Sequence, residues 1–142
     1  MTFQLCLAID ENPVPKGRPR FRRIGQAIAS YTPKKTKTFE DLVKSRVKQA
    51  MGASEPLKSP VSVFLGFRLP IPQSYTKSRT KACLDGLERH CKKPDLDNLA
   101  KSVLDGLNGV VFVDDSQVIQ LHCRKGYSAE PGVDILVREE LL

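Results

Sequence analysis

Apolar and polar residues alternate weakly from Thr2 to Ile9 and clearly from Val61 to Leu69, where Val61, Val63, Leu65, Phe67 and Leu69 fall on one side. Both stretches predict half-buried strands, the second ended by Pro70 and Pro72. Between them the period changes: Phe39, Leu42, Val43, Val47, Ala50 and Met51 mark one face of a helix, with a hydroxyl cap at Thr36 or Thr38 and a stop at Gly52. A second helical stripe runs through Leu96, Leu99, Val103, Leu104 and Leu107, after Pro94 and before Asn108-Gly109. Val110–Val113, Val118–Cys123 and Val133–Val137 read as short strands, the first two separated by Asp114-Asp115-Ser116. Two segments lack periodicity. Residues 10–33 read as a long functional loop, and polar, basic residues 73–93 as an ordered loop, a short helix near 81–90, or a segment that orders on a ligand. The pattern predicts one small α+β domain over residues 1–142, with a mixed sheet and two main helices.

Composition narrows the class. Hydrophobic residues make up 40% of the 142, enough for a core, which argues against disorder of the whole chain. No run approaches the roughly 18–20 apolar residues of a membrane span, and the N-terminus lacks a secretory pattern. A soluble, cytoplasmic protein is expected. Cys6, Cys83, Cys91 and Cys123 are widely spaced, which favours reduced thiols, and the His90-Cys91 and His122-Cys123 dipeptides lack the spacing of zinc ligands.

Charge is distributed unevenly. The formal net is +7, but residues 13–48 carry +9 and residues 49–93 carry +5, whereas residues 94–142 carry −5. The basic part fits a polyanion, since each phosphate neutralised by Lys or Arg releases condensed counterions; a solvated basic face is the plainer alternative. Two prolines and a glycine in Pro15-Lys16-Gly17-Arg18-Pro19-Arg20-Phe21-Arg22-Arg23 disfavour a helix, so the stretch reads as an extended arm or loop with guanidinium groups splayed toward phosphates. Candidate DNA contacts are therefore Lys16, Arg18, Arg20, Arg22 and Arg23, joined by Lys77, Arg79, Lys81, Lys92 and Lys93 of the later basic segment.

Five aspartates between residues 94 and 115 interrupt this picture. Asp97, Lys101 and Asp105, at i, i+4 and i+8, share the helix face opposite the leucine stripe. Asp95, preceded by Pro94, fits the N-cap, from which its carboxylate could turn toward Asp97. Capping alone would explain this pair, and an ordinary polar turn would explain Asp114-Asp115. If Val110–Val113 retraces the helix as a strand, the two pairs converge, and oxygen ligands so gathered suit Mg²⁺ or Mn²⁺ rather than zinc. A metal on Asp95, Asp97 and Asp115 beside a basic surface points to phosphodiester hydrolysis, with Lys101 placed for the charge of the transition state or only salt-bridged along its helix.

At Lys93-Pro94-Asp95-Leu96-Asp97-Asn98-Leu99-Ala100-Lys101, Leu104-Asp105-Gly106-Leu107-Asn108 and Val113-Asp114-Asp115-Ser116-Gln117-Val118 the chain resembles the RusA family of Holliday junction resolvases. Val14 to Phe21 looks like the basic segment found in one branch of that family. The resemblance implies a homodimeric, RusA-like α+β endonuclease that makes paired nicks in four-way DNA junctions with Mg²⁺ or Mn²⁺, in recombination and repair. The family's essential aspartates carry over to Asp95, Asp97 and Asp115 and its lysine to Lys101, with Asp114 as a supporting metal ligand. Some members carry an asparagine-containing motif after the first strand where this chain has the Lys-Gly-Arg-Pro-Arg run, so junction contacts do not transfer there. A non-catalytic branched-DNA-binding protein and a less selective RNA or flap nuclease are the competing readings.

Overall fold

The computed structural model describes residues 2–18 and 20–141, without the side chains of Arg20 and Tyr31. Its main sheet contains β1 (Gln4–Ile9), β4 (Val61–Leu69), β5 (Val118–Tyr127) and β6 (Gly132–Glu139), in the order β1-β6-β4-β5. β4 runs parallel to β5 and the other pairings are antiparallel, so the sheet is mixed as expected. The alternation of β4 sends Val61, Val63, Leu65, Phe67 and Leu69 into the core. There they meet α1 (Lys34–Met51), through Phe39, Val43 and Val47, and α3 (Leu96–Leu107), through Leu99, Val103 and Leu107. A Cβ on Gly106 would lie 2.7 Å from Cγ1 of Val43, so the α1–α3 seam closes only over a residue without a side chain.

Several boundaries differ from the sequence reading. Residues 10–33 are not all loop: β2 (Arg20–Ile24) and β3 (Ala27–Tyr31) form a separate two-stranded hairpin, turning at Gly25 with φ of 60°. Its arginines mask the alternation by which a strand is recognised. α1 starts directly after Pro33, its N-cap, rather than at a threonine cap. Thr36 is instead buried, accepting from the Gly17 N–H and donating to the Pro15 carbonyl. α2 (Lys77–Leu84) lies earlier than the 81–90 alternative, because Thr76 caps it by accepting from the Arg79 N–H.

Val110–Val113 is not a strand. The N–H groups of Val110 and Val111 both donate to the Leu107 carbonyl, and Gly109 donates to Phe112, so the chain curls tightly at the end of α3. Val111 and Phe112 are apolar because this turn is buried, with Phe112 bridged to Leu57. Among the described residues no helix is long and apolar enough to cross a membrane. All four cysteines are free.

Candidate active site

The turn that carries the first acid pair is fastened from a distant strand. Lys125 on β5 donates from Nζ to the carbonyls of Lys92 (2.8 Å) and Pro94 (2.9 Å), gripping the backbone just ahead of α3. Asp95 takes the N-cap position with extended backbone but makes no side-chain cap bond. Its carboxylate instead accepts from Nζ of Lys93 at 2.8 Å, and that hydrogen bond holds it below the usual carboxylate range. Capping therefore does not account for Asp95. Asp97, in the first turn of α3, is exposed and near the positive helix end. One turn on, Lys101 is exposed, and none of the ion pairs among the described residues uses it. A cleft of about 490 Å³ opens beside Asp95, lined by Lys16, His90, Lys92, Lys93 and Asn98.

The second acid pair lies elsewhere. Asp114 caps the 3-10 turn Asp115–Gln117: its Oδ2 accepts from the Ser116 N–H, and its own N–H donates to Oε1 of Gln117. The bond from Ser116 lowers the Asp114 carboxyl. Asp115 is exposed. Gln117 ties the turn to the carbonyls of Leu57 and Ser59, at the start of β4. The 93–97 turn is held near the far end of the sheet, where Lys125 pairs with Phe67. The seven residue steps from Val118 to Lys125 span about 23 Å, so α3 separates the two pairs rather than joining them. The expected convergence within one chain does not occur, because the retracing strand on which it depended is a turn. Among the described residues no three His, Cys, Asp or Glu side chains gather as a metal site.

Comparison with known proteins bears on the family. The family model for endodeoxyribonuclease RusA matches residues 10–138. The chain belongs to the RusA endodeoxyribonuclease family. The uncharacterized protein YqaN of Bacillus subtilis (strain 168) is similar to it, 36% identical over 129 residues that cover 89% of this chain and 90% of the relative.

Within this RusA-family fold the expected DNA contacts have unequal freedom. Lys16 is committed internally, with Nζ 2.6 Å from Glu40 on α1 and 3.0 Å from Asp105 on α3. Burial lowers its pKa, but the bonds to both carboxylates outweigh that and leave it raised. Arg18, Arg22 and Arg23 are exposed around the hairpin, and Lys77 is exposed on α2; the Arg20 side chain lies outside the described residues. Arg79 pairs with Glu88 and stacks 3.6 Å over the Tyr75 ring, and Lys81 pairs with Asp85. Lys92 donates to the Tyr75 hydroxyl and Lys93 to Asp95. Lys125 was missed by sequence reasoning. Nothing local marks a lysine whose partners are carbonyls more than thirty residues away.

Proposed function

We propose that this protein is a Mg²⁺- or Mn²⁺-dependent endodeoxyribonuclease that resolves four-way (Holliday) DNA junctions by paired phosphodiester hydrolysis. It acts as a homodimer in which each active site draws acids from both subunits. The polarity of β5 carries this reading. β5 is an edge strand of ten residues, with Asp114 and Asp115 just before it and Arg124 and Lys125 near its end. Val113 ahead of it and Ile119 and Leu121 on it are 54%, 66% and 44% exposed. A bare apolar edge invites another strand. A second copy pairing antiparallel about a twofold axis near Leu121 covers those side chains and sets the acidic start of each strand against the basic end of the other. Asp115 of the partner subunit then approaches the turn that Lys125 holds, and the carboxylates that one chain keeps far apart are brought together.

Such an oxygen-rich set fits Mg²⁺ or Mn²⁺, with Asp95 and Asp97 from one subunit and Asp115 from the other as holders and Asp114 in support. A divalent cation bound there supplies polarisation of the scissile phosphate and acidification of the attacking water. The chain's own groups do the rest. Lys93 keeps Asp95 ionised, Lys101 offers its free ammonium to charge building on the leaving oxygen, and exposed basic side chains hold flanking phosphates. Twofold symmetry presents two equal sites to two strands of a junction, which gives paired nicks.

Subunit mixing tests the proposal. Asp97→Asn and Asp115→Asn homodimers are each expected to bind a synthetic four-way junction without cutting it in Mg²⁺. Co-refolded together they form heterodimers with one intact composite site, and nicking returns. A mixture as inactive as its parents refutes the shared site, and a wild-type protein that leaves junctions uncut refutes the activity.

A further inference from the structure

The β2–β3 hairpin has a property that junction cutting by the acidic residues leaves unused. It pairs with no other strand, and no described side chain in it is buried. Phe21, Ile24 and Ile28 are 69%, 54% and 70% exposed. An isolated two-stranded ribbon is marginal in water, and these apolar groups add nothing to a core of its own. Register sorts its faces: Phe21 lies opposite Ser30 and Arg23 opposite Ile28, so Phe21, Arg23 and Ile28 share one face, with Phe21 and Ile28 as diagonal neighbours. Arg22 and Ile24 share the other face. Each face joins a guanidinium to an apolar side chain, and no acidic residue occurs between Glu11 and Glu40.

The base of the hairpin is tied beside the candidate active site. The Lys16 N–H donates to the Asn98 carbonyl, one residue from Asp97, while Gly17 and Pro15 are fastened to Thr36 of α1. At about 3.3 Å per residue the five-residue strands extend about 17 Å, and a two-stranded ribbon fits the roughly 12 Å major groove of B-form DNA. The arginines complement phosphate. The exposed phenylalanine and isoleucine suit insertion at a base step, as apolar wedges do when they unstack and kink DNA, and the crossover of branched DNA is where the stacking of one arm on the next is most easily opened.

We infer that the hairpin is a wedge for the DNA crossover, with Phe21 and Ile28 against unstacked bases and Arg22 and Arg23 on the adjoining phosphates. This rests on the junction-nuclease reading, but its test is separate. A four-way junction carrying 2-aminopurine at the crossover is titrated with protein in EDTA, so that nothing is cut. Wild type is expected to raise the fluorescence about threefold, as unstacking does, and to leave the same probe within a duplex arm unchanged. Phe21→Ala combined with Ile28→Ala abolishes the rise while junction affinity falls less than tenfold, and Phe21→Trp keeps it. Arg22→Ala combined with Arg23→Ala weakens binding about tenfold at moderate salt and flattens its salt dependence, with the rise regained at saturation.

An unresponsive crossover probe, an equal rise in the duplex arm, or a full rise with the double alanine variant overturns the wedge. So does a change of oligomeric state in that variant, which would mean that the hairpin covers a second copy. Because the replaced side chains are exposed, the urea midpoint is expected to stay unchanged. Cutting in Mg²⁺ with an unresponsive probe removes the wedge and leaves the nuclease standing; a fluorescence rise without cutting does the reverse.

Discussion

Asp95 and Asp97 stand at one end of α3 and Asp114 and Asp115 just beyond the other, and within each pair one carboxylate is tied while its neighbour is exposed. Lys93 holds Asp95 and the Ser116 N–H holds Asp114, whereas Asp97 and Asp115 are exposed. The tying groups differ in kind. Asp95 is bound by a largely exposed lysine side chain, which a cation could displace. Asp114 is bound by the backbone of its own turn, within a reciprocal capping box. On the proposed reading the first pair is the poised half of the site, and the second supplies one acid from a self-contained turn.

The largest expected effect separates the free acids from the capping one. Asp97→Asn and Asp115→Asn should each lower junction cleavage in Mg²⁺ by about a thousandfold, roughly 4 kcal/mol, with gel-shift affinity retained. Asp114→Ala should lower cleavage far less, while costing about 1 kcal/mol of stability through the lost cap, read by urea denaturation. Equal loss of cleavage in Asp114→Ala and Asp115→Ala would erase the distinction.

The frame between the two ends comes next. Gly106→Ala forces a Cβ against Val43 and is expected to cost about 1–3 kcal/mol by overpacking, visible as a lower urea midpoint. Lys16→Met leaves Glu40 and Asp105 without their shared cation, at a cost of about 1–3 kcal/mol. If Lys16 serves only this seam, the salt dependence of junction binding stays the same; a flatter slope would return it to the DNA contacts.

The smallest effect concerns the Asp95 end alone. His90 is buried with its ring 4.8 Å from that of Tyr127, and burial, together with Lys125 and Lys92, pushes the imidazole below its ordinary value. As pH falls below about 6.5 the unfolded chain takes up this proton before the folded one, so this contribution is present above that pH and lost below it. His90→Leu should flatten the decline in stability between pH 7 and 5, measured by urea midpoints, whereas substitutions in the Asp114 turn should leave that decline in place.

The order of the main elements was legible because β4, α1 and α3 have apolar periods of 2 or 3.6, and such a period states which face is buried whatever covers it. The hairpin was not, since its faces mix arginine with isoleucine and phenylalanine, and none of its described side chains is buried. Val110–Val113 misled for the opposite reason: a buried turn and a buried strand are equally apolar, and only the bonds back to Leu107 tell them apart.

By itself the sequence determined the two longer helices, the central strand and the family, all of which are written in local spacing and residue type. Tertiary structure decided which of those groups are free. Lys16 was drawn into a seam, Lys125 was placed on the turn before Asp95, and the acid pairs were set at opposite ends of a helix. Those outcomes depend on contacts between segments distant in sequence, where the direction of a single turn reverses which residues can meet.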